Sequence, residues 1–62
     1  MSDITLKEQI NAVKRELAYR EKVYPRLVKQ LKMSRQQADY QMSCMKAVLA
    51  TLEDSVYYKR LI

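Results

Sequence analysis

The sequence predicts an all-α protein, an antiparallel two-helix hairpin that dimerises into a four-helix bundle. Three observations support this fold. The 62 residues include no glycine and one proline, two capping-box motifs each precede an apolar pattern, and both patterns repeat in the steps of four and three that are typical of packed helices. Good helix formers dominate the composition, which disfavours a sheet with tight turns. We expect residues 1–62 to form a single domain.

The first helix is predicted to span about residues 6–32. Thr5 and Glu8 fit a capping box, in which the threonine hydroxyl accepts from the Glu8 backbone and the Glu8 side chain returns to the Thr5 backbone. Arg20 interrupts the apolar seam that follows. Its guanidinium either reaches the edge of the interface on its aliphatic stem or pairs across that interface, and the first alternative, snorkelling, is favoured.

Pro25 is the residue that a uniform helix does not predict, because it has no N–H to donate to the carbonyl of Glu21. The apolar seam keeps its phase past this point, at Tyr24, Leu27 and Leu31. We therefore expect one continuous helix that is kinked at Pro25 and curves around its partner, rather than two short helices.

The second helix is predicted to span about residues 35–59. Ser34 and Gln37 form the second capping box, and Met33 is placed to pack on Ala38 as a hydrophobic staple. The elbow between the helices is then about residues 32–34. The two helices have similar predicted lengths, which favours antiparallel packing.

Association with another chain is predicted because two helices of this size enclose little core. The one cysteine, Cys44, cannot form an intrachain disulfide and is interpreted as a small space-filler, and no Cys/His zinc site is available. We expect a homodimer. The residues assigned to its interface are those of the two seams: Leu6, Ile10, Val13, Leu17, Tyr24, Leu27, Leu31, Met42, Met45, Leu49, Leu52 and Val56.

The composition argues against an enzyme. Histidine is absent, the acidic residues fall mostly off the seams, and no glycine-rich loop is present to bind a phosphate. We therefore predict no catalytic residue, no metal site and no cofactor. The apolar runs are short and the N-terminus does not resemble a signal peptide, so we expect a cytoplasmic protein with no membrane contact.

Two segments are candidate partner-binding surfaces. One is a basic elbow and the other an aromatic C-terminus, which either closes the far end of a homodimer or anchors a partner protein. The candidate residues are Arg20, Lys22, Arg26, Lys29, Lys32 and Arg35 in the elbow, with Tyr57 and Tyr58 at the C-terminus. A protein partner is the first hypothesis. Nucleic-acid binding is the second, since the net charge is +5, although long antiparallel helices do not form a helix-turn-helix. A structural part of a larger assembly is the third.

Two stretches of the sequence carry a resemblance to known proteins. The first is residues 16–28, which include the run from Arg20 to Pro25 with its Val-Tyr-Pro. The second begins at Met33-Ser34, includes Ala38-Asp39 and continues through residues 45–53. In both, the chain resembles small helical proteins encoded by bacteriophages and prophages. The resemblance implies a phage accessory protein that binds a host protein, such as a defence or regulatory factor, and inhibits or redirects it.

Overall fold

The computed structural model describes the backbone of residues 3–61 and the side chains of residues 3–55. It contains two helices, α1 at Leu6–Lys29 and α2 at Arg35–Leu61, which pack against each other across a short turn. No strand occurs in residues 3–61. The expected all-α hairpin is therefore confirmed, while dimerisation stays a prediction.

Both helices begin at their capping motifs. The Glu8 backbone N–H donates to the Thr5 hydroxyl over 3.1 Å, which is one bond of the expected pair. At α2 both bonds form, because the Gln37 N–H donates to Ser34 Oγ over 3.0 Å and the Ser34 N–H donates to Gln37 Oε1 over 3.1 Å. Side chains three residues away thus satisfy backbone donors that the first helical turn leaves without a partner.

Helix α1 continues through Pro25 without a break. The proline leaves the Glu21 carbonyl without its usual helical donor, yet the Gln30 N–H still donates to the Arg26 carbonyl over 3.0 Å in the next turn. The side chain of Pro25 is exposed, off the seam. The expectation of one continuous helix is confirmed, while the kink at Pro25 stays a prediction.

The end of α1 differs from the expected one, because the helix stops at Lys29 and not near residue 32. The Leu31 N–H donates to the Val28 carbonyl over 3.0 Å, and the Lys32 N–H donates to the Leu27 carbonyl over 2.9 Å. These two bonds form a Schellman motif, which needs a residue at positive φ in its centre. Glycine usually occupies that position, but here Leu31 does, with φ 59°. A leucine in this conformation costs about 1–2 kcal/mol.

The turn therefore spans residues 30–34, and placing Leu31 in the seam of α1 was wrong for the single chain. The Leu31 side chain is 91% exposed and lies outside the helix. Three residues that the periodicity assigned to the helix instead belong to its C-terminal cap. The seam of α1 ends at Leu27.

The core between the helices is small. Among residues 3–55, only Leu17 and Ala38 are buried, with 9% and 5% of their surface exposed. The other seam residues with described side chains are half-buried: Leu6, Ile10, Val13, Tyr24, Leu27, Met42, Met45, Leu49 and Leu52. Each seam is covered by the opposite helix alone, because a single layer of two helices has no further element to cover its sides.

Candidate interaction surfaces

Arg20 lies in the interface between the two helices and joins them. Its Nε donates to Glu16 Oε1 on α1 over 2.9 Å, and its Nη1 donates to the Gln41 carbonyl on α2 over 3.1 Å. The guanidinium carbon lies 5.6 Å from the centre of the Tyr24 ring, within range of a cation–π interaction. The Arg20 side chain is only 17% exposed. Snorkelling, the favoured alternative, was therefore wrong, and the guanidinium is already engaged within the chain.

A second cross-helix contact lies nearer the open end of the hairpin. Lys14 Nζ is 4.0 Å from Glu53 Oε2, and both side chains are about half exposed. An ion pair with this exposure contributes less than about 1 kcal/mol. Together with the bond between Arg20 and Gln41, it shows that α2 runs antiparallel to α1.

An open groove of about 380 Å³ lies beside Arg20 at the elbow end of the hairpin. Its surface combines apolar and aromatic side chains with charges of both signs, a composition that suits contact with protein. The lining residues are Arg20, Glu21, Tyr24, Pro25, Val28, Arg35, Ala38, Asp39 and Met42.

An apolar surface, which we call the apolar flank, lies on the side of the hairpin away from the groove. It consists of Val23, Leu27, Cys44, Met45 and Val48, none of which lines the groove. Val23 and Leu27 are one turn apart on α1, and Cys44 and Val48 are one turn apart on α2. Helix geometry places both pairs on the same side of the interface. Val48 is 45% exposed, and the other four are half-buried.

Cys44 in the flank has a free thiol. It lies one turn after Tyr40 and raises the pKa of that phenol above its ordinary 10.0, first through side-chain hydrogen bonding and then through repulsion between the two anions. A phenol with the ordinary pKa of 10.0 is already neutral at physiological pH, so this shift leaves the charge of Tyr40 there unchanged.

The basic elbow separates into two groups of side chains. Arg20 is held between the helices, and Arg35 Nε lies 3.9 Å from Asp39 Oδ1. The remaining four cations are exposed, and no carboxylate in residues 3–55 lies within 4.0 Å of their charged groups. They are Lys22, Arg26, Lys29 and Lys32.

The C-terminal candidate residues lie in α2. Val56, Tyr57 and Tyr58 belong to α2, but their side chains lie outside the described residues. Sequence reasoning did not place Val23 and Cys44 on one side of the hairpin. The signal was present, because Val23 and Leu27, like Cys44 and Val48, are one helical turn apart beside a seam.

Within the described residues, neither helix contains a segment long and apolar enough to cross a bilayer. Comparison of the chain with protein-family models, with curated proteins and with solved structures found no match.

Proposed function

We propose that this protein is a non-enzymatic protein–protein interaction module, which forms a four-helix bundle by pairing with a second copy through its apolar flank. The observation that carries the proposal is the small core. Among residues 3–55, only Leu17 and Ala38 are buried, although 48% of the sequence is hydrophobic. A chain with so little buried apolar surface gains most of its stability from association.

The exposed surface of the chain is consistent with a missing partner. Its accessible area is 5359 Å², whereas a folded monomer of 7.4 kDa exposes about 4,200 Å² by the usual scaling of area with mass. The excess, about 1,150 Å² per chain, exceeds the roughly 800 Å² that each partner buries in an interface of standard size.

The apolar flank is the surface we assign to the second copy. The seams already face each other within one chain, so only their half-exposed edges remain available to another molecule. The flank joins these edges to Val23, Cys44 and Val48. Two identical flanks can pair about a two-fold axis, which is the commonest symmetry of homodimers.

The partner beyond the dimer is proposed from the resemblance to phage proteins. In this proposal the protein acts in the bacterial cytoplasm as an accessory protein that binds a host protein and inhibits or redirects it. The mixed-charge groove beside Arg20 supports this role, since Tyr24 and Pro25 offer rigid apolar contacts and Arg35 and Asp39 offer charges of both signs.

Light scattering coupled to size-exclusion chromatography tests the dimer. We expect the wild-type protein to have a mass of twice 7.4 kDa and Val48→Glu to elute as a monomer, because it places a carboxylate in the flank of each copy. Ala47→Glu is the matched control, since Ala47 precedes Val48 on α2 and is exposed on the outer side. It introduces the same charge and should leave the mass unchanged.

A wild-type monomer, or a Val48→Glu protein that remains dimeric, would contradict the proposed interface. If Ala47→Glu also dissociates the protein, the dimer surface includes the outer face of α2 and the flank is the wrong choice. Circular dichroism on each variant separates loss of association from loss of helix.

A further inference from the structure

The outer face of α1 carries a row of cations with a tyrosine among them, which we call the basic stripe. Its members are Arg15, Tyr19, Lys22, Arg26 and Lys29, separated by steps of four, three, four and three residues. This spacing keeps them on one helix face. They are half a turn away from the seam, because the seam of α1 repeats in the same steps with an offset of two residues.

The basic stripe is open to solvent. All five residues are exposed, and the Tyr19 side chain is 60% exposed. No carboxylate in residues 3–55 lies within 4.0 Å of the four cationic groups. The two acidic residues between Arg15 and Lys29 are directed elsewhere, since Glu16 accepts from Arg20 and Glu21 lines the groove.

These features favour a phosphate-rich partner over a protein. A protein interface needs an apolar centre depleted of charge, whereas the stripe has Tyr19 as its one ring and no aliphatic residue. The four cations lie between Arg15 and Lys29, 14 residues apart in sequence, and cover about 21 Å of helix, which is comparable with several successive phosphates of one strand. An exposed aromatic ring among cations is also typical of surfaces that contact nucleic acids.

We infer that the basic stripe binds the phosphodiester backbone of a nucleic acid without reading its sequence. Arg15, Lys22, Arg26 and Lys29 contact phosphates, and Tyr19 stacks on a base where the strand is unpaired. The stripe lies on the side of α1 away from α2, so it stays accessible when the flank is covered by a second copy. The inference therefore stands or falls independently of the proposed dimer.

Fluorescence anisotropy with the full chain and a labelled duplex tests the inference across a salt series. Four phosphate contacts give a log–log slope of affinity against salt concentration of about −3.6, at about 0.9 for each contact. The double variant Lys22→Gln, Arg26→Gln removes two of these contacts. Its slope should be smaller in magnitude by about 1.8.

The matched control is Lys7→Gln with Lys46→Gln, which removes the same charge from two exposed lysines outside the stripe. Its slope should equal that of the wild type. A labelled single strand forms a second arm, in which four contacts give a slope of about −2.8, at about 0.7 for each contact. Tighter binding of the duplex or of the single strand identifies the natural source of the phosphates. Tyr19→Ala should weaken the single-strand complex and leave the duplex complex unchanged.

Three results would overturn the inference. The first is absence of binding to both oligonucleotides at low salt, with protein concentrations above the range of about 10⁻⁴ M that is typical of non-specific complexes. The second is an equal loss of slope in the control and the stripe variant. The third is tighter binding of a labelled poly-glutamate peptide than of either oligonucleotide at equal charge and salt concentration, which would assign the stripe to an acidic protein instead.

Discussion

Leu31→Gly should stabilise the hairpin, although it removes a large apolar side chain. Leu31 holds φ at 59°, a conformation that costs a leucine about 1–2 kcal/mol and costs glycine almost nothing. Glycine also loses more chain entropy on folding, which offsets roughly 0.5–1 kcal/mol. Because Leu31 is 91% exposed, the lost packing is small. The net gain is about 0–1.5 kcal/mol, centred near 0.75 kcal/mol, which corresponds to about 6 °C in Tm for a domain of this size.

Thermal and urea unfolding followed by circular dichroism measure this gain. Two variants separate its causes. Leu31→Ala removes the side chain but keeps the unfavourable φ, so its stability should stay within about 0.5 kcal/mol of the wild type. Gln30→Gly places glycine where φ is −84° and no relief is available, and it should lose stability by about 1 kcal/mol.

The reasoning is refuted if Leu31→Gly is less stable than the wild type. Leu31 would then contribute contacts that the single chain does not contain, as its original assignment to the dimer interface requires. Unfolding should be measured at two protein concentrations, because association makes Tm depend on concentration. Destabilisation that grows with concentration would place Leu31 in the dimer interface.

Three further substitutions test the helix contacts by urea unfolding. Arg20→Ala should lower the free energy of unfolding by about 1–3 kcal/mol, because it removes the bond to the Gln41 carbonyl and the packing of a mostly buried stem. A loss below about 0.5 kcal/mol would show that this bond contributes little. Ser34→Ala should cost about 1 kcal/mol by removing the N-cap of α2, and an unchanged midpoint would mean that the helix start is set by other contacts. Pro25→Ala should raise stability by up to about 3 kcal/mol, since it restores a helical donor at an exposed position; a destabilised variant would show that the proline shapes the groove.

The helix starts and the pairing of the seams were predictable from the sequence because they depend on local rules. Ser34 and Gln37 lie three residues apart, and that spacing alone suffices for their two reciprocal hydrogen bonds. Leu17 and Ala38 lie on apolar stripes and are the buried residues of the described part. Periodicity identifies such positions directly.

The end of α1 could not be predicted in the same way. Leu31 continues the apolar periodicity, and the usual signal for a helix end, glycine at the residue after the cap, is missing from the sequence. The pattern therefore extended the helix through a residue that in fact terminates it. Backbone hydrogen bonds from Leu31 and Lys32 decide this end, and they leave no trace in hydrophobicity.

The environment of Arg20 was equally hard to predict. Its acceptor on α2 is the backbone carbonyl of Gln41. Because every residue has a backbone carbonyl, no sequence pattern singles out this one. Only the rotation and axial position of the two helices bring that oxygen within 3.1 Å of the guanidinium. The basic elbow was consequently treated as one surface, although the structure divides it into engaged and free cations.

Arg20 also affects how the two helices align along their axes. A seam of Leu, Met and Val tolerates sliding, since a shift of one turn, about 5.4 Å, replaces one apolar neighbour with another. The same shift would carry the Gln41 carbonyl away from Arg20 and bring a carbonyl one turn along α2 near the mostly buried guanidinium, at a different distance and angle. We therefore expect Arg20 to favour the alignment in which it reaches Gln41, at the cost of part of the stability that a fully apolar seam would give.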